Sequence, residues 1–245
     1  MPATITGRLD ALITKLKLLG RLDPADTAAL ASLPVREETA RAGTYLVREG
    51  MQVVECCVLL KGYACRNKLT SEGRRQIVSF HIPGDVLDLQ HLLLDRADHN
   101  VQVITDCTVA RIPAEALRDL ARARPNVATA LWRDTLVDAS IFREWVLNVG
   151  QRDARARIAH MLCEFAFRRS VAGLGEVDRF ELPMTQEQIA DATGMTPVHV
   201  NRMLGAMRAD GLISRDKRQI EISDWAELKR AAGFDPAYLH LAEAA

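Results

Sequence analysis

Short apolar runs that end at glycines dominate residues 40–112, and they predict a β-rich region. Glycines at positions 43, 50, 62, 73 and 84 separate segments such as VVECCVLLKG and RQIVSFHIPG. Short strands with regularly spaced turn residues are typical of a jelly roll or β-roll. The alternating segment VQVITDCTVARIP continues the pattern to Pro113.

After Pro113 the hydrophobic period changes from that of a strand to that of a helix. Residues 126–150 run without proline or internal glycine, and their apolar positions form a helical seam that needs a partner. We interpret this segment as a dimerisation helix, because a helix of about 24 residues spans about 36 Å. Packing against its own β-rich domain is the alternative. The predicted seam consists of Val127, Leu131, Val137, Ile141 and Trp145.

Residues 184–222 carry the features of a helix-turn-helix followed by a β-hairpin wing. Thr185 is a predicted N-cap, and Gly194 suits the left-handed turn that ends the first helix. Thr196 caps a second helix, in which Pro197 takes the first position, where a missing N–H does no harm. The segment GLISRDKRQIEI then reads as a hairpin with a charged turn. This order predicts a winged helix-turn-helix that inserts its second helix into the DNA major groove.

The second helix, residues 196–210, has polar side chains on the face opposite its apolar residues. Arg202 can pair with guanine O6 and N7, Asn201 with adenine N6 and N7, and Val198 can contact a thymine methyl group. A solvated surface is the alternative for each charged residue. The predicted phosphate contacts are Thr185, Thr196, His199, Arg208, Arg215, Lys217 and Arg218.

The charge distribution supports DNA contact by the second helix and the wing, and not by the chain as a whole. The 245 residues carry 32 basic and 32 acidic side chains, so the net charge is zero. Between 198 and 218, five basic residues stand against two acidic ones. A local basic face of this kind can follow DNA phosphates within a neutral protein.

Other parts of the sequence exclude several function classes. No run of about 18 apolar residues exists, so a membrane span is not expected. The first 20 residues have helical apolar spacing and not the continuous apolar region of a signal peptide. There is no Walker loop, dinucleotide fingerprint, metal-spaced cluster or nucleophile motif, so we expect neither an enzyme nor a bound cofactor or metal.

The five cysteines at 56, 57, 65, 107 and 163 form an odd set without a CxxC pair, which indicates reduced thiols and a cytoplasmic protein. Cys56 and Cys57 are neighbours in one predicted strand, so their side chains point to opposite faces. We expect small buried hydrophobes. A redox thiol at Cys65 or Cys107 is the alternative.

Taken together, the segments GTYLVREG, EGRRQIVSFHIPGD, RIAHML and MTQEQIADATGMTPVHVNRMLGAMRADGLI resemble the CRP/FNR family of bacterial transcription regulators over about residues 20–222. The resemblance implies an α+β fold with an N-terminal β-roll sensor domain, a long dimerisation helix and a C-terminal winged helix-turn-helix domain. It also implies a cytoplasmic homodimer that binds a two-fold symmetric site on double-stranded DNA and contacts RNA polymerase. The corresponding domain boundaries are 1–125, 126–150 and 151–245.

Departures from the family pattern concern the signal. Members that bind cyclic AMP carry Gly-Glu after the PGD turn and Arg-Ser about ten residues later. Here those pairs read Asp88-Leu89 and His99-Asn100, which argues against cyclic AMP. The cysteine cluster of the iron–sulfur members is not present before Cys56.

The sequence leaves the effector unidentified. The region that could bind a small molecule contains Arg74, Arg75, Leu89, His91 and His99. A haem ligand among the histidines is an alternative, and so is a structural role. The segment 224–245 extends past the wing, and we expect it to pack on the protein. The competing function is a ligand-binding regulatory module that acts by protein contact without reading DNA.

Overall fold

The computed structural model describes residues 7–241 and divides the chain into two compact units. The first unit comprises residues 7–67 and 80–139 of the described chain, and the second comprises 68–79 and 140–241. The long helix therefore contributes its N-terminal half to the first unit and its C-terminal half to the second. The predicted boundaries at 125 and 150 instead bracket this helix as a segment of its own.

Residues 7–151 contain seven strands and four α-helices. The helices are α1 (Asp10–Leu19), α2 (Pro24–Ala31), α3 (Ala114–Ala123) and α4 (Pro125–Gln151). The strands are β1 (Arg36–Ala40), β2 (Tyr45–Val47), β3 (Glu55–Lys61), β4 (Ala64–Leu69), β5 (Arg75–His81), β6 (Asn100–Val103) and β7 (Cys107–Pro113). A 3₁₀ turn covers Leu89–Leu92.

The strands form two sheets, with orders β1-β7-β3 and β2-β6-β4-β5. Side chains alternate along β3, so Cys56 and Val58 enter a core with α1, α3 and α4, whereas Cys57 and Leu59 enter a second core with strands of the other sheet. The predicted opposite orientation of the two neighbouring cysteines is therefore confirmed. Gly62, after β3, has φ of 83°, and a Cβ there would lie 2.5 Å from the Asp106 carbonyl oxygen.

Buried ion pairs fasten the N-terminal half of α4 inside the first unit. Lys15 Nζ lies 2.7 Å from Asp134 Oδ1 and 2.9 Å from Asp85 Oδ1. Burial alone would lower the pKa of Lys15, but the two carboxylates raise it above its usual range. Arg66 Nη1 lies 2.5 Å from Asp138 Oδ2, one helical turn further along α4. These contacts hold α4 against α1 and β4.

The second unit contains the remaining regular elements. They are α5 (Ala154–Val171), β8 (Arg179–Glu181), α6 (Gln186–Thr193), α7 (Pro197–Ala209), β9 (Ile213–Asp216), β10 (Gln219–Ile222), α8 (Trp225–Ala232) and a 3₁₀ turn at Pro236–Leu239. Strands β8, β10 and β9 form an antiparallel sheet in that order. Strand β8 is not predicted from the sequence, because three residues are too short for a visible period.

Candidate nucleic-acid interface

Helices α6 and α7 form the predicted helix-turn-helix, and local hydrogen bonds explain its boundaries. Thr185 Oγ1 accepts from the Gln188 backbone N–H, and the Gln188 side chain accepts in return from the Thr185 N–H, which completes a capping box. Gly194 ends α6 with φ of 67°. Thr196 caps α7 by accepting from the His199 N–H. Both predicted helix starts and the predicted left-handed turn are confirmed.

One face of α7 packs and the other is open. Val200, Leu204 and Met207 are buried against the second unit's core. On the open side, Val198 is 81% exposed. Asn201 and Arg202 are exposed beside it. The structure therefore brings the three predicted base-contacting residues together on one exposed surface.

Asn201 and Arg202 differ in their hydrogen bonding within the chain. Gln186 Nε2, at the first turn of α6, donates to Asn201 Oδ1 at 3.1 Å. This contact fixes which way the Asn201 amide points, and sequence reasoning missed it because the two residues are 15 positions apart. Arg202 has no hydrogen bond or ion pair to any other residue within 7–241. Its guanidinium is therefore available to a ligand.

The predicted phosphate contacts lie on α6, α7 and the wing, in different local roles. Thr185 and Thr196 already use their hydroxyls as helix caps. Arg215 Nε donates to the Lys217 carbonyl, and Lys217 takes φ of 52° in the wing turn. Arg218 donates to the Leu182 and Pro183 carbonyls while its side chain stays 52% exposed. Arg208 is exposed, and His199 is half-buried.

A polar cluster occupies the first unit near the predicted effector region. The rings of His91 and His99 stack with centroids 5.8 Å apart. His99 Nδ1 lies 2.6 Å from Asp98 Oδ1, and its Nε2 lies 3.2 Å from Gln90 Nε2. Burial lowers the pKa of His99 to about 4, and the charge of Arg66 adds to this effect. The His99 imidazole is therefore neutral at pH 7.

Asp88 is the most deeply buried carboxyl of this cluster. Its Oδ1 accepts from the Cys57 N–H at 2.8 Å, and its Oδ2 has no hydrogen-bond partner in the described chain. Burial raises the pKa of Asp88 to about 7, although the Cys57 hydrogen bond and Arg111 oppose the shift. Both ring nitrogens of His91 also lack partners among residues 7–241. Buried polar atoms without partners mark a place that a small polar molecule or water can complete.

The five predicted effector residues do not all belong to this cluster. His91 and His99 do, whereas Leu89 packs into the apolar core with α1 and α3. Arg74 is exposed and pairs with Glu72, and Arg75 Nε lies 2.6 Å from Asp191 Oδ2 on α6. Both arginines belong to the second unit, whereas His91 and His99 belong to the first, so the predicted effector residues are divided between the two units.

The predicted seam of α4 is buried within the chain. Val127, Leu131, Val137, Ile141 and Trp145 are at most 9% exposed, and Val127 and Leu131 belong to the apolar core of the first unit. These five residues therefore pack within the chain, which is the alternative to the predicted dimer seam. The face opposite them carries Trp132, Leu136, Val146 and Leu147, which are 70, 56, 70 and 45% exposed. Solvent-exposed apolar residues in this number indicate an interface.

The cysteines are packing residues. All five lie in the described residues, are buried and form no disulfide. Burial raises the pKa of the Cys107 thiol and raises that of Cys163 to about 12, so neither is poised as a thiolate at pH 7. Among residues 7–241, no three histidine, cysteine or acidic side chains are grouped to hold a metal ion. In the same range, no helix combines the length and apolar character needed to cross a membrane.

Comparison with known protein families assigns both halves of the chain. Residues 156–231 match the Crp-like helix-turn-helix domain, and residues 37–124 match the cyclic nucleotide-binding domain. These ranges cover the winged helix-turn-helix and the β-roll described above.

Individual relatives match between 71 and 92% of this chain. The transcriptional activator protein FnrL of Cereibacter sphaeroides is 27% identical over 230 residues, which is 92% of each chain. The nitrogen fixation regulation protein FixK of Azorhizobium caulinodans is 28% identical over 71% of this chain and 69% of its own. The structure of FixK2 from Bradyrhizobium japonicum superposes with a TM-score of 0.76 at 26% identity, over 83% of this chain and 100% of that one.

The fold and the site define a transcription regulator with a DNA-binding helix-turn-helix and a cyclic nucleotide-binding-like domain. The chain belongs to the CRP/FNR family. The relatives named above are regulators and not enzymes.

Proposed function

We propose that this regulator is a homodimer that reads a palindromic DNA site with α7, each protomer contacting one half-site. The observation that carries the proposal is the exposed surface of Val198, Asn201 and Arg202 on a capped helix whose opposite face is buried. An unpaired guanidinium on such a helix is suited to bidentate contact with guanine. The proposed phosphate contacts are Thr185, Thr196, His199, Arg208, Arg215, Lys217 and Arg218.

The proposed dimer surface is the exposed apolar face of α4 at Trp132, Leu136 and Val146. Their spacing of four and ten residues keeps them on one side of a helix, as in a two-helix interface. A two-fold dimer places equivalent helices α7 about 34 Å apart, which is one turn of DNA. The protein would act in the cytoplasm on promoters that RNA polymerase uses, as the name of the FnrL relative supports.

The proposed signal is a small molecule other than cyclic AMP. Leu89 stands where cyclic AMP-binding members have a carboxylate, and it packs in the apolar core. His99 stands where those members have arginine, and its lowered pKa leaves no positive charge for a cyclic phosphate. Titration calorimetry with cyclic AMP should therefore give no binding heat. Micromolar binding would remove this part of the proposal.

Selection from a random duplex library tests the DNA proposal. We expect an inverted repeat with a guanine in each half-site and centres about 10 base pairs apart. Arg202→Ala should weaken binding to the selected duplex by about 1–3 kcal/mol and relax the preference at that guanine. Arg122→Ala is the matched control, because Arg122 is an exposed arginine on α3 with only a surface ion pair.

The competing function is a ligand-binding module that acts through protein contact. It predicts that the library yields no motif, and that any weak binding to DNA is equal for the wild type, Arg202→Ala and Arg122→Ala. An inverted repeat whose affinity depends on Arg202 excludes this alternative.

A further inference from the structure

The chain continues past the wing into a segment that we call the C-terminal strap, residues 225–239. It consists of α8, a left-handed turn at Gly233 with φ of 56°, Phe234 and the 3₁₀ turn at Pro236–Leu239. Leu228, Ala232 and Leu239 are buried, so the strap packs on the protein as the sequence predicts. Its last residues lie beyond 231, where the match to the Crp-like domain ends.

Glu164 of α5 joins the strap to the long helix. This residue is 2% exposed. The Tyr238 hydroxyl donates to Oε2 at 2.7 Å, and the Trp145 indole Nε1–H of α4 donates to the same oxygen at 3.0 Å. Arg168 lies 3.6 Å from the other oxygen, Oε1. One buried carboxylate thus receives a donor from α4 and a donor from the strap.

A second junction lies at the last turns of α4. Arg152 Nη2 donates both to Glu144 Oε1 of α4 and to the strap carbonyl of Gly233, at 2.6 and 3.2 Å. His160 of α5 is fully buried and stacks on Tyr238, with Phe234 against it edge-on, at centroid distances of 5.9 and 5.5 Å. The strap therefore contacts α5 directly through polar and aromatic groups, and it is linked to α4 through Arg152 and Glu164.

We propose that the strap fastens the C-terminal half of α4 to α5, so that the end of the long helix and the helix-turn-helix move as one rigid body. Arg152 and Asp153 connect α4 to α5, and a connection this short can act as a hinge. Direct hydrogen bonds from Trp145 to Glu164 and from Asn148 to the Arg157 carbonyl join the two helices. The strap adds its own contacts at this joint, to Glu164 and to Arg152. The inference goes beyond DNA recognition and does not depend on which DNA site is read.

Hydrogen–deuterium exchange of the full chain tests this inference without DNA. Tyr238→Phe removes the hydroxyl that reaches Glu164 and keeps the aromatic ring. Because a hydrogen bond to a buried charged group is strongly stabilising, we expect exchange in residues 140–151 to rise about tenfold. Exchange in α7 and in α3 should stay unchanged. Tyr45→Phe, in the β-roll, is the matched control and should leave 140–151 as in the wild type.

Phe234→Ala is a second variant, which removes the ring against His160 and leaves every hydrogen bond of Glu164 in place. It should also raise exchange in 140–151 selectively. If either variant speeds exchange only in 154–171 and 225–239, the strap covers α5 alone and the inference is overturned. The same holds if both variants speed exchange throughout, α3 included, since the strap would then contribute only to global stability.

Discussion

At the scale of single residues, burial changes the ordinary acid–base chemistry of Asp88. A carboxyl that is buried and only half satisfied is driven toward its neutral form. In the unfolded chain an aspartate titrates near pH 4. Between about pH 4 and pH 7, the folded protein therefore keeps a proton that the unfolded chain has lost. Asp88 accordingly contributes less to stability as pH rises through this range.

Asp88→Asn should remove this pH dependence, because an amide does not titrate and its oxygen can still accept from the Cys57 N–H. We expect the free energy of unfolding of the variant, relative to the wild type, to rise from pH 4 to pH 7 by roughly 1–4 kcal/mol and then to level off. Urea unfolding at several pH values measures this difference. Asp119→Asn, at an exposed carboxylate, is the control. A difference that is constant with pH would contradict the raised pKa of Asp88.

At the scale of elements, the turn between α6 and α7 depends on one backbone conformation. Gly194 has φ of 67°, and a Cβ there would meet only Arg157 Nη1 at 3.8 Å, so an added methyl group is costly for the backbone and not for packing. Gly205 lies within α7, where a Cβ would meet nothing within 4 Å. An added Cβ is therefore unfavourable for the backbone at Gly194 and tolerated at Gly205, within the same helix-turn-helix.

Gly194→Ala should lower the free energy of unfolding by about 1–2 kcal/mol, because it forces an L-residue into the left-handed region. Gly205→Ala should raise it by about 0.5–1 kcal/mol, since alanine favours a helix interior. Urea denaturation of both variants beside the wild type measures these changes. Equal effects of the same sign would show that backbone conformation is not what distinguishes the two positions.

The two faces of α4 lead to a further expectation at this scale. Leu136→Glu places a charge on the exposed apolar face and should weaken the proposed dimer at least tenfold, because the charge would be buried on association. Sedimentation velocity over a range of protein concentrations measures the change. Leu93→Glu is the control, since Leu93 is 89% exposed and lies away from α4 in sequence and element. A dimer that survives Leu136→Glu unchanged would place the interface elsewhere.

At the scale of the whole molecule, the basic and acidic residues balance, but they are unevenly distributed along the chain. The chain has no net charge, yet basic residues outnumber acidic ones on α7 and the wing. Affinity for DNA should therefore fall steeply with salt, because each phosphate contact releases counterions. The zero net charge of the protein does not prevent this. At physiological salt the Debye length is about 8–10 Å, so acidic residues further away than this are largely screened from the DNA.

Arg208→Ala should weaken binding to all duplexes about equally and reduce the slope of log K against log salt by about 1. Arg208 is exposed at the end of α7, six positions or more from the three residues that we propose contact bases. Titrations of a selected and an unrelated duplex between about 50 and 200 mM salt measure the slope. A loss confined to the selected duplex would instead mean that Arg208 reads a base.

Local features of the fold and the DNA surface are predictable because their causes lie close together in sequence. The caps at Thr185 and Thr196, the turn at Gly194 and the apolar positions of α7 occur within about one helix-turn-helix length. The alternation of side chains along a strand likewise suffices to place Cys56 and Cys57 on opposite faces of β3. Propensity and periodicity act over a few residues, so a sequence alone displays them.

Pairings between distant residues are decided only by the tertiary structure. Apolar residues occur on both faces of α4, and only packing buries Val127 and Leu131 while leaving Trp132 and Leu136 open. Arg75 pairs with Asp191, 116 positions away, and thereby leaves the predicted effector region.

The C-terminal strap shows the same division. Its helix α8 ends at Gly233, whose left-handed conformation is a local preference of glycine. Its attachment to Glu164 and His160 depends on where α5 brings those side chains, 74 positions from Tyr238 in the case of Glu164. The sequence by itself therefore determined the helix-turn-helix and the family. Tertiary packing decided which faces are buried and which groups meet, because contacts between distant residues leave no local period.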